Sequence, residues 1–306
     1  MSATRNTTNA AAASPALAAS GRVPSASLVV FWDYDTAWGA DRSREPGGPK
    51  AWGPLEFEHT ERLLELHAEQ GVPACFAVVG AAALPGARPY HDPDQIRRIA
   101  AAGHEIGSHS FRHEWLPGLE PAALRETLRR SKDALEQCIG KPVKTFVPPY
   151  NQPFDYPRGF SVSLSERREA RPHRNGLAEV CRALRETGYG LCRVAYRPLP
   201  QQAAERLLRR RLERPAKPST IAGLTCLRLN TPGGFGPESA ALLRRCVREG
   251  GIATAYGHPH SLHGEDFQHE RYLVEFLREA RRLADEGSLR LALPEQFVDG
   301  LGASAP

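Results

Sequence analysis

No run in this sequence approaches the ~18 consecutive apolar residues that mark a membrane-spanning helix, so no membrane span is expected. No C-x-x-C pair occurs among its six cysteines, Cys75, Cys138, Cys181, Cys192, Cys226 and Cys246. Each sits in an apolar or helical context, where a thiol behaves as a small hydrophobe. Six cysteines in 306 residues do not make a disulfide scaffold. They suit a reducing compartment, and a cytoplasmic address is expected in preference to a secreted one. A secretory leader needs a basic start, an apolar middle and a small-residue cleavage site. Arg5 and Ala10–Ala19 imitate that pattern only weakly, because Ser and Pro interrupt the middle. Residues 1–26 are therefore expected to be a disordered tail, and 301–306 a second, short one.

Several chemistries are missing too. The first apolar run ends in Asp33-Tyr34-Asp35, with no glycine before Gly39. Gly233-Gly234-Phe235-Gly236 lacks the spacing of a dinucleotide fingerprint. There is no G-x-x-x-x-G-K phosphate loop and no G-x-S-x-G nucleophile elbow. No cysteine stands in the electropositive, exposed setting that a thiolate nucleophile needs. Apolar residues at 41% and charged residues at 25% exclude collagen, coiled coil and wholesale disorder. The 40 Lys and Arg exceed the 35 Asp and Glu, giving +5. Arginine is scattered, however, and the densest run, Arg209-Arg210-Arg211, reads as part of a solvated helix. No nucleic-acid partner is expected.

What is present is an alternation. The apolar, β-branched run Ser27–Asp33 reads as a buried strand, and Val72–Val79, His104–Ser108, Val143–Val147, Tyr189–Ala195, Leu224–Leu229, Gly251–Tyr256 and Ser288–Leu293 read as further strands. Between them lie helical patterns at Glu58–Gln70, Pro93–Ala102, Pro121–Ile139, Gly176–Thr187, Gln201–Leu212, Glu238–Arg248 and Arg271–Glu286. In Pro121–Ile139, Leu124, Leu128, Leu135 and Cys138 form one stripe, with Gly140 ending it. Recurring strand–helix units predict an α/β fold with a parallel sheet. The missing glycine fingerprint favours a closed (β/α) barrel over an open sheet.

Polar residues follow the strands. Asp33 and Asp35 follow the first, His109 and His113 the third, Pro149, Tyr150 and Asn151 the fourth, and His258 and His260 follow Gly251–Tyr256. In a parallel barrel all of these lie at the C-terminal face, where active sites sit. Taken alone, the Asp pair also reads as a turn at a strand end. The H-x-x-x-H spacing places two imidazoles on one side of a helical turn, within reach of one ion; alone, it also reads as one capping and one surface histidine. His104-Glu105 does not begin an H-E-x-x-H protease motif, because His109 comes one residue too late.

These residues resemble the polysaccharide deacetylase family (carbohydrate esterase family four, the NodB-homology domain). Phe31-Trp32-Asp33-Tyr34-Asp35-Thr36 is similar to its first motif, and Gly103–His113 (GHEIGSHSFRH) to its second. Val147-Pro148-Pro149-Tyr150 is similar to the third, and Gly257-His258-Pro259 to the last. The resemblance runs over about Ser27 to Val298 and implies one distorted barrel domain of about seven βα units, here 27–300. It implies Asp33 as general base, and Asp35, His109 and His113 as ligands of one divalent metal, commonly Zn2+, with Co2+, Mn2+ or Fe2+ as alternatives. It implies His258 as general acid, with His260 as the alternative, and the Tyr150 backbone N–H beside Pro149 as an oxyanion donor. Trp38 is a candidate to stack on a sugar ring or a packed rim aromatic. The family's third motif begins with an arginine that orients the base; Val147 stands there, and Arg193 is the candidate to replace it. The implied reaction is hydrolysis of an N-acyl, chiefly acetyl, group from an amino sugar. Alternatives are a hydrolase of a small amide, such as a deformylase, an antibiotic-precursor deacetylase or a cyclic ureide hydrolase, and an inactive carbohydrate-binding homologue. Carbohydrate or a small N-acylated molecule is the expected partner.

Overall fold

The computed structural model describes residues 24–43, 52–154, 172–195, 199–208 and 214–298. Both expected tails fall almost wholly outside them, as do Arg209-Arg210-Arg211. The chain enters the first strand, β1, at Ala26–Tyr34. Helices α1 (Thr36–Ser43) and α2 (Trp52–Gln70) follow, then β2 (Cys75–Val78), α3 (Pro93–Ala101) and β3 (Glu105–Ser108). Next come α4 (Pro121–Ile139), β4 (Thr145–Phe146), α5 (Leu177–Glu186), β5 (Leu191–Ala195) and α6 (Leu199–Leu208). The last third holds β6 (Ser219–Ile221), β7 (Leu224–Leu229), α7 (Pro237–Glu249), β8 (Gly251–Gly257), α8 (Glu270–Asp285) and β9 (Arg290–Leu291).

The strands form one sheet in the order β6-β7-β5-β4-β3-β2-β1-β8, with β9 on β1. Every pairing is parallel except β6 with β7. The sheet curls into a distorted (β/α) barrel. Its closing seam, between β7 and β8, is stitched by side chains as well as by backbone. The Asn230 amide bonds the Ile252 carbonyl (2.8 Å) and accepts from the Thr254 N–H (2.9 Å). Below it, Ala216 and Ile252 exchange two backbone bonds of 2.9 and 2.8 Å. A side chain standing in for a missing strand residue is how a buried backbone amide stays paired at an irregular seam.

Strand alternation sorts the core into two. Leu28, Val30, Trp32 and Tyr34 point outward into the large layer under the helices. Val29 and Phe31 point inward and meet Cys75, Ala77, Val147, Leu191, Leu227, Ile252 and Ala292. Asp33 continues the inward row, and so does Arg193 after Leu191. The barrel's apolar plug thus ends in an acid and a base at its C-terminal mouth.

On the outer layer His67 is a core residue. Its Nε2 accepts from the Trp32 indole N–H (2.9 Å) and its Nδ1 meets the Val72 carbonyl (2.7 Å). Burial pushes its pKa down to about 3. The folded protein therefore refuses a proton that the unfolded chain accepts below about 6.5. The stabilisation from neutral His67 is whole above that pH and shrinks as pH falls towards 3, by up to about 1.4 kcal/mol per pH unit. Buried Glu105, pushed up to about 7, runs the other way, so total stability is not the readout. The expected result is that the melting-temperature gap between wild type and His67→Gln narrows steadily from pH 7 to pH 5. A constant gap contradicts it.

Candidate active site

Asp33, at the end of β1, is buried and held by both arms of a guanidinium. Arg193 of β5 donates from Nη1 to Oδ1 (2.8 Å) and from Nη2 to Oδ2 (2.6 Å). The same Nη2 donates to Asn151 Oδ1 (2.9 Å), and the guanidinium lies against the rings of Tyr256 (4.7 Å) and Phe31 (5.2 Å). Burial works to raise the Asp33 pKa, but the charges of Arg193 and His109 outweigh it and hold the carboxyl below its usual range. Asp33 is therefore an ionised carboxylate of fixed orientation. Arg193 thus comes from β5, the neighbour of β4, and Val147 stands just after β4.

Two residues on, Asp35 meets the second cluster. Its Oδ1 lies 3.2 Å from His109 Nε2 and 3.6 Å from His113 Nε2. His109 Nδ1 is 2.8 Å from the Val147 carbonyl. A carbonyl only accepts, so a proton sits on Nδ1, and in the neutral ring Nε2 presents a lone pair. Asp35 Oδ1 and His113 Nδ1 are buried without a hydrogen-bond partner. One ligand atom from each of Asp35, His109 and His113 falls within 4.8 Å of the others. An imidazole lone pair facing a carboxylate oxygen in a buried site repels unless a cation stands between them. A divalent ion thus fits this donor set, and one carboxylate with two imidazoles suits zinc among others. Burial pushes His113 down to about 4, so its imidazole is neutral at neutral pH.

The local backbone explains how the cluster forms. The sequence predicted a helical turn from His109 to His113. Instead the segment is a non-helical turn in which Ser110 (φ 62°) and His113 (φ 57°) take left-handed conformations. Their cost of ~1–3 kcal/mol for non-glycine residues is tolerated where the surroundings fix them. Here the Ser110 carbonyl accepts from the Gly80 N–H and from Ser131 Oγ, each at 2.9 Å. Helix α1, absent from the sequence reading, packs directly on Asp35: a Cβ at Gly39 would lie 2.5 Å from Asp35 Cβ.

His258 follows β8. The oxygen of the Gln268 side chain lies 2.7 Å from its backbone N and 3.1 Å from its Nδ1. Its ring is 5.2 Å from that of His260. His260 is more buried. It stacks on Trp52 (4.3 Å, 16° between planes), and its Nδ1 lies 3.1 Å from Glu56 Oε2. Tyr150, beside buried Pro149, has φ 59° and rests its ring 4.6 Å from His113 and 5.5 Å from Trp115. Trp38 is drawn elsewhere: Tyr90 (5.0 Å) packs against it and the Arg112 guanidinium covers its ring at 4.8 Å. Of the aromatic candidates, Tyr150 is at the Asp–His–His cluster and Trp38 is engaged as a packed rim residue. The sequence reading missed Glu56, Trp115 and Gln268. Glu56, on one turn of α2 with Trp52, had no signal to distinguish it from a surface glutamate.

Fold and site together define a distorted barrel with a buried acid–imidazole centre at the C-terminal ends of its strands. Residues 51–158 match the family described as Polysaccharide deacetylase. A chitin deacetylase from Pestalotiopsis sp is 32% identical over 94 residues, 31% of this chain and 30% of its own length. A chitooligosaccharide deacetylase from Rhizobium leguminosarum bv. trifolii is 33% identical over 76 residues, 25% of this chain and 33% of its own. The chain thus spans about a third of the length of the curated relatives it matches. Among solved structures, a putative polysaccharide deacetylase from Mycobacterium smegmatis superposes with a TM-score of 0.57 at 20% identity, covering 93% of both chains. Puue allantoinase gives the same TM-score at 16% identity, over 92% of this chain and 91% of its own. Both share the fold.

Proposed function

We propose that the protein is a metal-dependent hydrolase that removes an N-acyl group, acetyl in the first instance, from an amino sugar. The observation that carries this reading is the division of two carboxylates two residues apart. Asp33 is locked to Arg193, while Asp35 faces imidazole nitrogens that lack hydrogen bonds to it. Two nearby carboxyls in different environments take different roles. Asp35, His109 and His113 would hold the ion, with zinc as the first choice. Bound there, a divalent ion supplies Lewis-acid charge that polarises the acyl carbonyl and acidifies water.

The remaining steps belong to side chains. Asp33, ionised and oriented by Arg193, accepts the proton of the attacking water. The N–H of Tyr150 donates to the oxyanion as it forms. His258, with its Nδ1 at Gln268, protonates the departing amine from Nε2, without which an amine does not leave. With Arg193 on Asp33, the substitution of Val147 no longer argues for an inactive binding module. The deacetylase names of the relatives support a carbohydrate substrate. None of the six cysteines forms a disulfide, which supports a reducing, cytoplasmic address. A small-molecule amide is therefore the second reading. A panel of N-acetylglucosamine-containing substrates of several sizes, run beside allantoin and simple amides, separates the two. Free amine from the sugars supports the first; hydrolysis of the small amides alone overturns the carbohydrate assignment and keeps the reaction class.

A further inference from the structure

Arg193 holds a third group besides the two oxygens of Asp33. The same Nη2 that donates to Asp33 Oδ2 at 2.6 Å donates to Asn151 Oδ1 at 2.9 Å. A guanidinium only donates, so the Asn151 amide has its oxygen on Arg193 and its –NH2 turned the other way. Among the described residues nothing accepts from that –NH2, and Asn151 is half-buried at the mouth of the barrel. Its backbone N–H is spent on the Pro148 carbonyl at 3.1 Å. The residue stands at φ 53°, directly after Tyr150 at φ 59°. Asparagine tolerates the left-handed region better than most residues, which accounts for its presence in this turn. It does not account for an amide pinned at one end beside the base and left without an acceptor at the other.

The chemistry of the bound substrate supplies that acceptor. Asp33 receives the proton of the attacking water, which must come within about 3–3.5 Å of the acyl carbon. Only one group on that carbon accepts well. The amide nitrogen shares its lone pair with the carbonyl, and an alkyl group has none to offer. The acyl oxygen is therefore the acceptor that a substrate brings to the side chain sharing an arginine with the base.

We propose that Asn151 is a second oxyanion donor. Its Nδ2–H bonds the acyl oxygen of the substrate beside the N–H of Tyr150, and the bond strengthens as negative charge develops there. This rests on the hydrolytic reading above and applies to an amino sugar or a small amide alike. The Arg193 contact keeps the amide from rotating, so the donor is set before the substrate arrives.

The test uses the full-length, metal-loaded protein and whichever of the N-acetylglucosamine trimer, allantoin and simple amides wild type hydrolyses. Metal content and melting temperature are measured for every variant. Asn151→Gly, which suits the left-handed turn, is expected to lower kcat about a hundredfold, the smaller end of the usual loss of one oxyanion donor, with KM within about threefold of wild type. Asn151→Asp separates donation from support of Arg193: at neutral pH its carboxylate still accepts from Nη2 but donates nothing. It is expected to be at least as slow as Asn151→Gly. Near-normal kcat in Asn151→Asp would reduce Asn151 to a support for Arg193 and overturns the proposal. So does a near-normal kcat in Asn151→Gly, whether or not KM rises, because an oxyanion donor acts on the transition state. If wild type hydrolyses nothing on the panel, the hydrolytic reading fails and this proposal falls with it.

Discussion

Asp33→Asn is expected to keep the bound divalent ion and to lose about 10²–10⁴-fold in kcat, the usual contribution of a general acid–base group. An amide of the same size fills the same space beside Arg193 but cannot take the proton of water. The change has a structural side. Arg193 is fully enclosed, and removing one partner of a buried ion pair typically costs ~3–5 kcal/mol because the other charge is left uncompensated. The melting temperature should fall as well, so turnover is compared well below it. Arg193→Met probes the same pair from the other end. Without the guanidinium, burial acts on Asp33 unopposed by its main counter-charge and its pKa rises. The base is then protonated at higher pH, and the acid limb of the pH–rate profile moves upward. Near-normal turnover in Asp33→Asn, or an unmoved acid limb in Arg193→Met, contradicts the assignment.

His109→Ala and His113→Ala are each expected to abolish stoichiometric binding of a divalent ion and, with it, turnover. Each change removes one of three ligands in a buried site. The remaining pair, Asp35 with one imidazole, offers too few donors to replace the waters of a hydrated ion. His109 has a further function, since its Nδ1–H is fixed by the Val147 carbonyl. Such partners set the tautomer that leaves Nε2 free to bind. Metal analysis of the dialysed proteins checks this directly. Equal metal content in wild type and either variant means that the site is wrongly drawn.

Much of the architecture was legible because the chain is locally consistent. Parallel strands covered on both faces read as short apolar runs, and Leu224–Leu229 and Pro121–Ile139 have in the structure the bounds read from the sequence. The shortfalls have physical causes. Val143–Val147 reads as a five-residue strand, but only Thr145–Phe146 form one, because the segment turns into Pro148-Pro149. Helix α1 was missed because Thr36–Ser43 is short and its only apolar side chains are Ala37, Trp38 and Ala40, so no stripe shows. Strand β6 is three residues long and antiparallel, beyond the reach of periodicity.

The site divides in the same way. Asp33, Asp35, His109, His113 and His258 were readable because each lies at or shortly after the C-terminal end of a strand, and a barrel gathers such positions at one end. Arg193 was a guess from sequence: it lies within β5, and only the inward alternation after Leu191 brings its guanidinium to Asp33. Glu56 was invisible, since a helix N-terminal turn is an ordinary place for a glutamate and nothing in the sequence says that this one is buried. For Trp38 the sequence leaves sugar stacking and rim packing both open, because adjacency to the first motif does not show that Tyr90 and Arg112 pack against its ring.

The most direct test is chelation and restoration on a single substrate. Protein stripped of divalent ions should release neither acetate nor amine from the N-acetylglucosamine trimer. Adding one equivalent of Zn2+ should restore both products in equal amounts, and the same addition to His109→Ala should restore neither. Equal release before and after stripping, or amine release in His109→Ala, would contradict a metal-dependent deacetylase built on Asp35, His109 and His113.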